Sequence, residues 1–236
     1  MPRPPAKNPR LNDRDYEICQ HVMRYRLTTR EALHKLFFSD SEPNAVTKVT
    51  SRLTEHGFLS RYELYPPRTY FVLGPQAARI MGVAPKKARE LGPQALIREY
   101  ATLGFCCLGS QSRVRLTVGE LQKKNANLLH KNLDSSHYYL DHDGETPRLG
   151  YVRVDYGGPP EHIVRKCRQD VEIRYPIQAF TSLVDEGRFL IAIVTGREEK
   201  MAAIHECLKR FEWKVRFRIE IFPDLVELIA RFQGAV

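Results

Sequence analysis

Two groups of residues in this chain combine side chains and spacing that could do chemistry. The first lies between Pro43 and His56, where Asn44, Thr47, Lys48, Ser51 and Arg52 fall on the side of a helical period opposite Val46, Val49 and Leu53. Lys and Arg reach guanine edges or phosphate oxygens, and Asn can pair with adenine, so this set reads as a face for double-stranded DNA. Arg61, Arg68 and Tyr70 follow on two β-prone segments, and Arg3, Lys7 and Arg10 sit on a proline-rich arm of residues 1–11 that carries no acid. The second group is acidic. Asp141, Asp143, Glu145, Asp155 and Asp170, with Lys166, are the residue types that hold Mg²⁺ and activate water in phosphodiester hydrolysis. Of these, Asp141, Asp155 and Lys166 would form the core of such a site, with Mg²⁺ the cofactor only if the site is active.

The elements that must carry the first group are legible. A helix opens at Asn12, a good N-cap with Asp13 and Asp15 in its first turn. Thr28-x-x-Glu31 reads as a capping box for a second helix, and Pro43 suits the first turn of a third, which Gly57 ends. Phe58–Leu64 and Thr69–Leu73 alternate about Tyr65-Pro66-Pro67-Arg68 as a hairpin, and a short helix covers Gln76–Met81. Helix, helix, helix, hairpin is the order of a winged helix-turn-helix over residues 12–82, with the third helix as the one that enters a major groove. Over residues 1–82 the sequence has 13 Lys or Arg and 8 Asp or Glu, so 13 − 8 = +5 of the chain's +9 lies there. Such a basic balance favours a polyanionic partner.

Residues 83–93 read as a linker, and residues 94–236 as an α/β domain with leading helices at about 94–107 and 118–129. Strands are predicted at His137–Leu140, Leu149–Asp155, Phe189–Val194 and Lys214–Phe222. Helices are predicted from Pro160 to Asp185, with a break at Pro176, and over Glu198–Phe211 and Asp224–Arg231. The fold class is thus two-domain: an α+β winged helix, then a mixed-sheet α/β domain. No glycine-rich phosphate loop, Gly-x-Ser-x-Gly elbow or zinc-type Cys/His spacing occurs. The five cysteines form no C-x-x-C pair, which fits reduced, buried thiols. No apolar run approaches the roughly 18 residues of a membrane span. A cytoplasmic protein without a membrane partner is the expectation.

The runs LNDRDYEICQHVMRYRLTTREALHKLFF, VTSRLTEHGFLSRYEL and TYFVLGPQAARIMG resemble the replication-relaxation family of mobile-element proteins. In that family a winged helix ends in a Tyr-x-Leu-Thr-x-x-Gly type segment, represented here by Phe71-Val72-Leu73-Gly74. HYYLDHDGETPRLGYVRVDYG, VRKCRQDVEIRY and FLIAIVTG are similar to the family's second domain, which is related to PD-(D/E)xK nucleases. The resemblance implies an acid opening the first strand and an acid-x-acid or acid-x-Lys on the next. Here Asp134 precedes the strand and Asp141 ends it, Arg153 takes the first acidic position of the second, and Lys166 matches a helix lysine. An Arg in place of a metal ligand repels Mg²⁺ and can grip a phosphate. With the resemblance, the expectation is a DNA-binding accessory protein of plasmid or conjugative-element replication or transfer, acting by origin or promoter recognition and recruitment of replication or transfer proteins. Its second domain would be a degenerate nuclease. The alternatives are a Mg²⁺-dependent nuclease or nickase and a transcriptional repressor. A symmetric DNA site would call for a homodimer.

Overall fold

The computed structural model describes residues 11–124, 126–131, 133–142, 144 and 146–233. The chain divides into two compact units, Met1–Leu91 and Gly92–Val236. Among the described residues there are ten α-helices and two sheets, one of three and one of five strands. None of these helices is long and apolar enough to cross a membrane.

In the first unit, helix α1 (Asp13–Tyr25) starts on a reciprocal cap. The Asn12 side chain accepts from the Asp15 N–H at 2.8 Å, and the Asp15 carboxylate accepts from the Asn12 N–H at 3.2 Å. Thr28 and Thr29 form a two-residue strand, β1, which pairs with Phe71 and Tyr70. The N-cap of α2 (Arg30–Phe37) is Thr29, whose hydroxyl accepts from the Ala32 N–H, and not Thr28, whose hydroxyl lies 3.1 Å from His21 Nε2. Helix α3 (Pro43–Glu55) has Pro at its first position and is followed by Gly57 in the left-handed region (φ +69°). Strands β2 (Leu59–Tyr65) and β3 (Arg68–Leu73) complete an antiparallel sheet of order β1-β3-β2. Ile18, Val22, Leu33, Val46, Leu53, Phe58 and Phe71 pack into one core beneath it. After helix α4 (Pro75–Ile80), residues 83–91 stay with this unit. They make a 3₁₀ turn at Pro85–Ala88, and the Leu91 N–H donates to the Tyr70 hydroxyl.

The second unit begins with α5 (Pro93–Leu103), which runs on as a π-helical turn, Gly104–Leu108. Strand β4 (Arg113–Arg115), α6 (Val118–Lys124), β5 (Tyr138–Asp141) and β6 (Arg148–Val154) follow. Then come α7 (Pro160–Arg174), α8 (Gln178–Asp185), β7 (Phe189–Thr195), α9 (Glu198–Lys209), β8 (Arg216–Ile221) and α10 (Asp224–Gln233). Pro176 lies in the break between α7 and α8, as its missing N–H requires. The sheet order is β4-β5-β6-β7-β8, antiparallel from β4 to β6 and parallel from β6 to β8. Strand β7 is buried along its whole length because helices cover both faces. Phe189, Ile191 and Ile193 join the core with Cys167 of α7, Phe180 of α8 and Ile204 of α9. Leu190, Ala192 and Val194 alternate to the other face, where α5 packs on β6 and α10. All five cysteines are free and buried.

Gly150 on β6 lies flat under the ring of its cross-strand partner Tyr139, which is fully buried. A Cβ there would sit 2.1 Å from the Tyr139 ring. Gly150→Ala is expected to cost about 1–3 kcal/mol by overpacking. A urea midpoint within error of the parent would show that Tyr139 can move aside.

Candidate functional site

On α3, residues three and four apart lie side by side. Asn44, Thr47, Lys48 and Ser51 are all exposed and share one face, which ends at exposed Glu55. Val46, Val49, Thr50 and Leu53 hold the opposite face in the core, and the Thr50 hydroxyl satisfies itself on the Val46 carbonyl at 2.9 Å. Arg52 stands beside this face but is committed elsewhere. Its guanidinium donates to the fully buried Asp15 carboxylate at 2.6 Å, fastening α3 to the cap of α1. Arg61 on β2 and Arg68 on β3 are exposed, and Arg68 lies 5.6 Å over the Tyr65 ring and 3.7 Å from Glu31.

Tyr70, read as a DNA-contacting residue beside Arg68, corrects that expectation. It is fully buried, because β3 is the middle strand and Tyr70 packs against Tyr62 across the ladder while its hydroxyl accepts from Leu91. Arg3, Lys7, Arg10, Asp143 and Glu145 lie outside the described residues.

In the second unit the predicted trio of Asp141, Asp155 and Lys166 does not come together. Asp141 pairs in register with Arg148, at the start of β6, whereas Asp155 follows its end. At about 3.3 Å per residue this puts the two carboxylates roughly 20 Å apart along the strand. Asp141 is fully buried in a cationic setting: Arg218 donates to it at 2.9 Å, Arg148 approaches to 3.7 Å, and Arg113 is its register partner on β4. Asp155 is also buried and accepts from the Thr195 hydroxyl at 3.0 Å and the Gly157 N–H at 3.1 Å. Asp170 is clasped by Arg153 through two nitrogens and by Arg174 at 3.1 Å. Carboxylates already spent on guanidinium groups and turns, and set at opposite ends of a strand, do not fit Mg²⁺. Among the described residues no three His, Cys, Asp or Glu side chains cluster as a metal site.

Lys166 does reach a cleft. Strand β6 continues past the start of β5, since the Val152 N–H bonds the His137 carbonyl and Arg153 and Val154 have a strand partner only in β7. The space beside this overhang is a cleft of about 570 Å³, closed by the first turns of α5 and the end of α10. Arg98, Arg153 and Lys166 supply three cations, and Lys166 stands 5.6 Å over the Tyr156 ring. Asp134, the carboxylate of the cleft, is bound by His137 Nδ1 at 2.9 Å and by Ser136. Burial alone would raise its carboxyl, but these hydrogen bonds prevail and hold it well below the usual carboxylate range. His137 is 3% exposed, and its Nε2 is buried without a hydrogen-bond partner. Sequence reasoning passed over Arg98 and Tyr156, because nothing in the spacing of residues 98, 153, 156 and 166 says that α5, β6, the loop after it and α7 converge.

Comparison of the chain with family models, with curated proteins and with solved structures finds no match.

Proposed function

We propose that the first unit is a winged helix-turn-helix that binds double-stranded DNA, with α3 in the major groove and the β2–β3 hairpin as the wing. The observation that carries this reading is the row Asn44, Thr47, Lys48 and Ser51: four exposed polar side chains on a helix whose other face is anchored in the core. A row of short hydrogen-bonding residues with one Lys suits base edges flanked by phosphates, and the exposed Arg61 and Arg68 suit the adjoining backbone. The chain would act as a sequence-specific accessory protein of plasmid or conjugative-element replication or transfer, recognising an origin or promoter and recruiting other proteins. The second unit is read as a degenerate relative of PD-(D/E)xK nucleases that binds rather than cuts. Arg153 held by Asp170 and Asp141 engaged by Arg218 support that choice over hydrolysis.

The test is selection of bound duplexes from a random pool, followed by titration of the selected site. Asn44→Ala is expected to weaken binding by about 1–3 kcal/mol and relax preference at one position. Lys48→Ala is expected to weaken all duplexes alike and lower the salt slope by about one. Selection of no site, or unchanged affinity and salt slope in both variants, would remove α3 from the interface. Incubation of supercoiled plasmid bearing the site with Mg²⁺ should give no nicking. Nicking lost in Asp155→Ala would instead establish the nuclease reading.

A further inference from the structure

The cleft of the second unit has a chemistry that DNA binding by α3 does not use. We infer that it is a binding site for a nucleoside phosphate, with the phosphate held by Arg98, Arg153 and Lys166 and the heterocycle lodged against the apolar wall.

The cations are placed for such a ligand without being free to collapse onto acids. Arg153 gives Nε and Nη2 to Asp170, which fixes the plane of its guanidinium and leaves Nη1 outside that pair. Arg98 gives one nitrogen to Glu99 at 3.2 Å, while its Nε is buried without a partner. Lys166 is exposed, rests on Tyr156 and makes no ion pair among the described residues. Three cations converging from α5, β6 and α7 are what a phosphate needs, since charge-assisted hydrogen bonds to its oxygens are short and strong. Asp134, the carboxylate that lines the cleft, is already engaged by His137 and Ser136.

Two further observations point to a ligand larger than phosphate. The first is the cleft's volume, about 570 Å³, which is in the range of small-molecule sites and far exceeds an inorganic anion. Ile97, Val152, Ile229 and Phe232 also line it, so a flat ring has apolar surfaces to lie on. Gln94 and Gln233 supply amides able to meet the edge of a base. The second is His137. A buried ring nitrogen without a partner is costly, and His137 Nε2 is such an atom at the cleft wall. A sugar hydroxyl, which can donate or accept, would satisfy it.

The same chemistry could come from a free nucleotide or from the phosphorylated 5′ end of a DNA strand. Calorimetric titration of the full chain with each nucleoside 5′-monophosphate, with inorganic phosphate, and with 5′-phosphorylated and 5′-hydroxyl tetranucleotides separates these sources. At least one monophosphate or the phosphorylated tetranucleotide is expected to bind one to one, inorganic phosphate at least about tenfold more weakly, and the 5′-hydroxyl strand no better than phosphate. Binding of the tetranucleotide alone would assign the ligand to a strand end, and binding of a monophosphate to a free nucleotide. Lys166→Gln and Arg98→Gln, both at partly exposed positions, should each weaken binding by about tenfold or more. Lys48→Ala should leave it unchanged, so failure here and failure of the α3 reading are told apart. No saturable binding of any probe, or binding indifferent to both cleft variants, would overturn the assignment.

Discussion

Arg115→Ala is expected to destabilise the second unit by about 3–5 kcal/mol, the cost of removing one partner of a buried ion pair. Arg115 is 5% exposed on β4, and its Nη1 donates to Glu99 of α5, which is 6% exposed. Its Nε and Nη2 both donate to the Ser136 carbonyl, at 3.2 and 2.9 Å, so one side chain joins the first helix, the edge strand and the loop before β5. Truncation leaves Glu99 with Arg98 alone and takes two donors from the Ser136 carbonyl. Trp213 is the only tryptophan, and it packs against Phe217 and Phe211 within this unit. Urea unfolding followed by its fluorescence therefore reads the unit directly. A loss under about 1 kcal/mol would mean that water replaces the pair. Paired replacement, Glu99→Leu with Arg115→Met, should recover most of the loss, because an apolar pair of similar volume leaves no buried charge.

The first unit should be the acid-sensitive half. His21 is buried on α1, its Nε2 3.1 Å from the Thr28 hydroxyl and its ring against Tyr25 and Phe37. Burial, aided by Arg24, pushes its pKa from the usual 6.5 down to about 4. The folded state thus holds His21 neutral while the unfolded chain takes up a proton near pH 6.5. Stability from this residue is complete above that pH and is lost as pH falls toward 4. The shift corresponds to about 3 kcal/mol. Chemical denaturation of residues 11–91 within the full chain, read by hydrogen exchange at amides of α1 and β3, should show that decline. In His21→Gln, which cannot titrate, the segment between pH 6.5 and 4 should flatten. A parent profile already flat across that window would place the proton elsewhere.

Much of this architecture could be read from residues because local chemistry and tertiary position agree. The apolar run at Phe189–Val194 is continuous because β7 is covered on both faces, and the break at Pro176 follows from one missing N–H. Strand β4 was not readable. Its Arg-Val-Arg pattern looks like a solvated loop, and Glu99 and Glu220, distant in the chain, help make two buried arginines tolerable. Tyr70 was misplaced for a related reason: hairpin alternation does not say which strand is in the middle, and β1 is two threonines long. Asp141 and Asp155 looked like partners because both sit at strand ends, and only the antiparallel register shows that the ends are opposite ones. On α3, by contrast, Val46, Val49 and Leu53 alone fixed which side chains would face outward.

The five buried thiols have a practical outcome. Burial pushes Cys19 and Cys167 up to about 12, so neither offers a thiolate at neutral pH. Cys207 is raised as well, by burial and then by its neighbour Glu161. Sulfhydryl reagents are thus expected to meet little native background, and one cysteine introduced in place of exposed Glu17 on α1 would carry a spin label or dye. With the native thiols buried, such a label can report distance from α1 to a marked duplex.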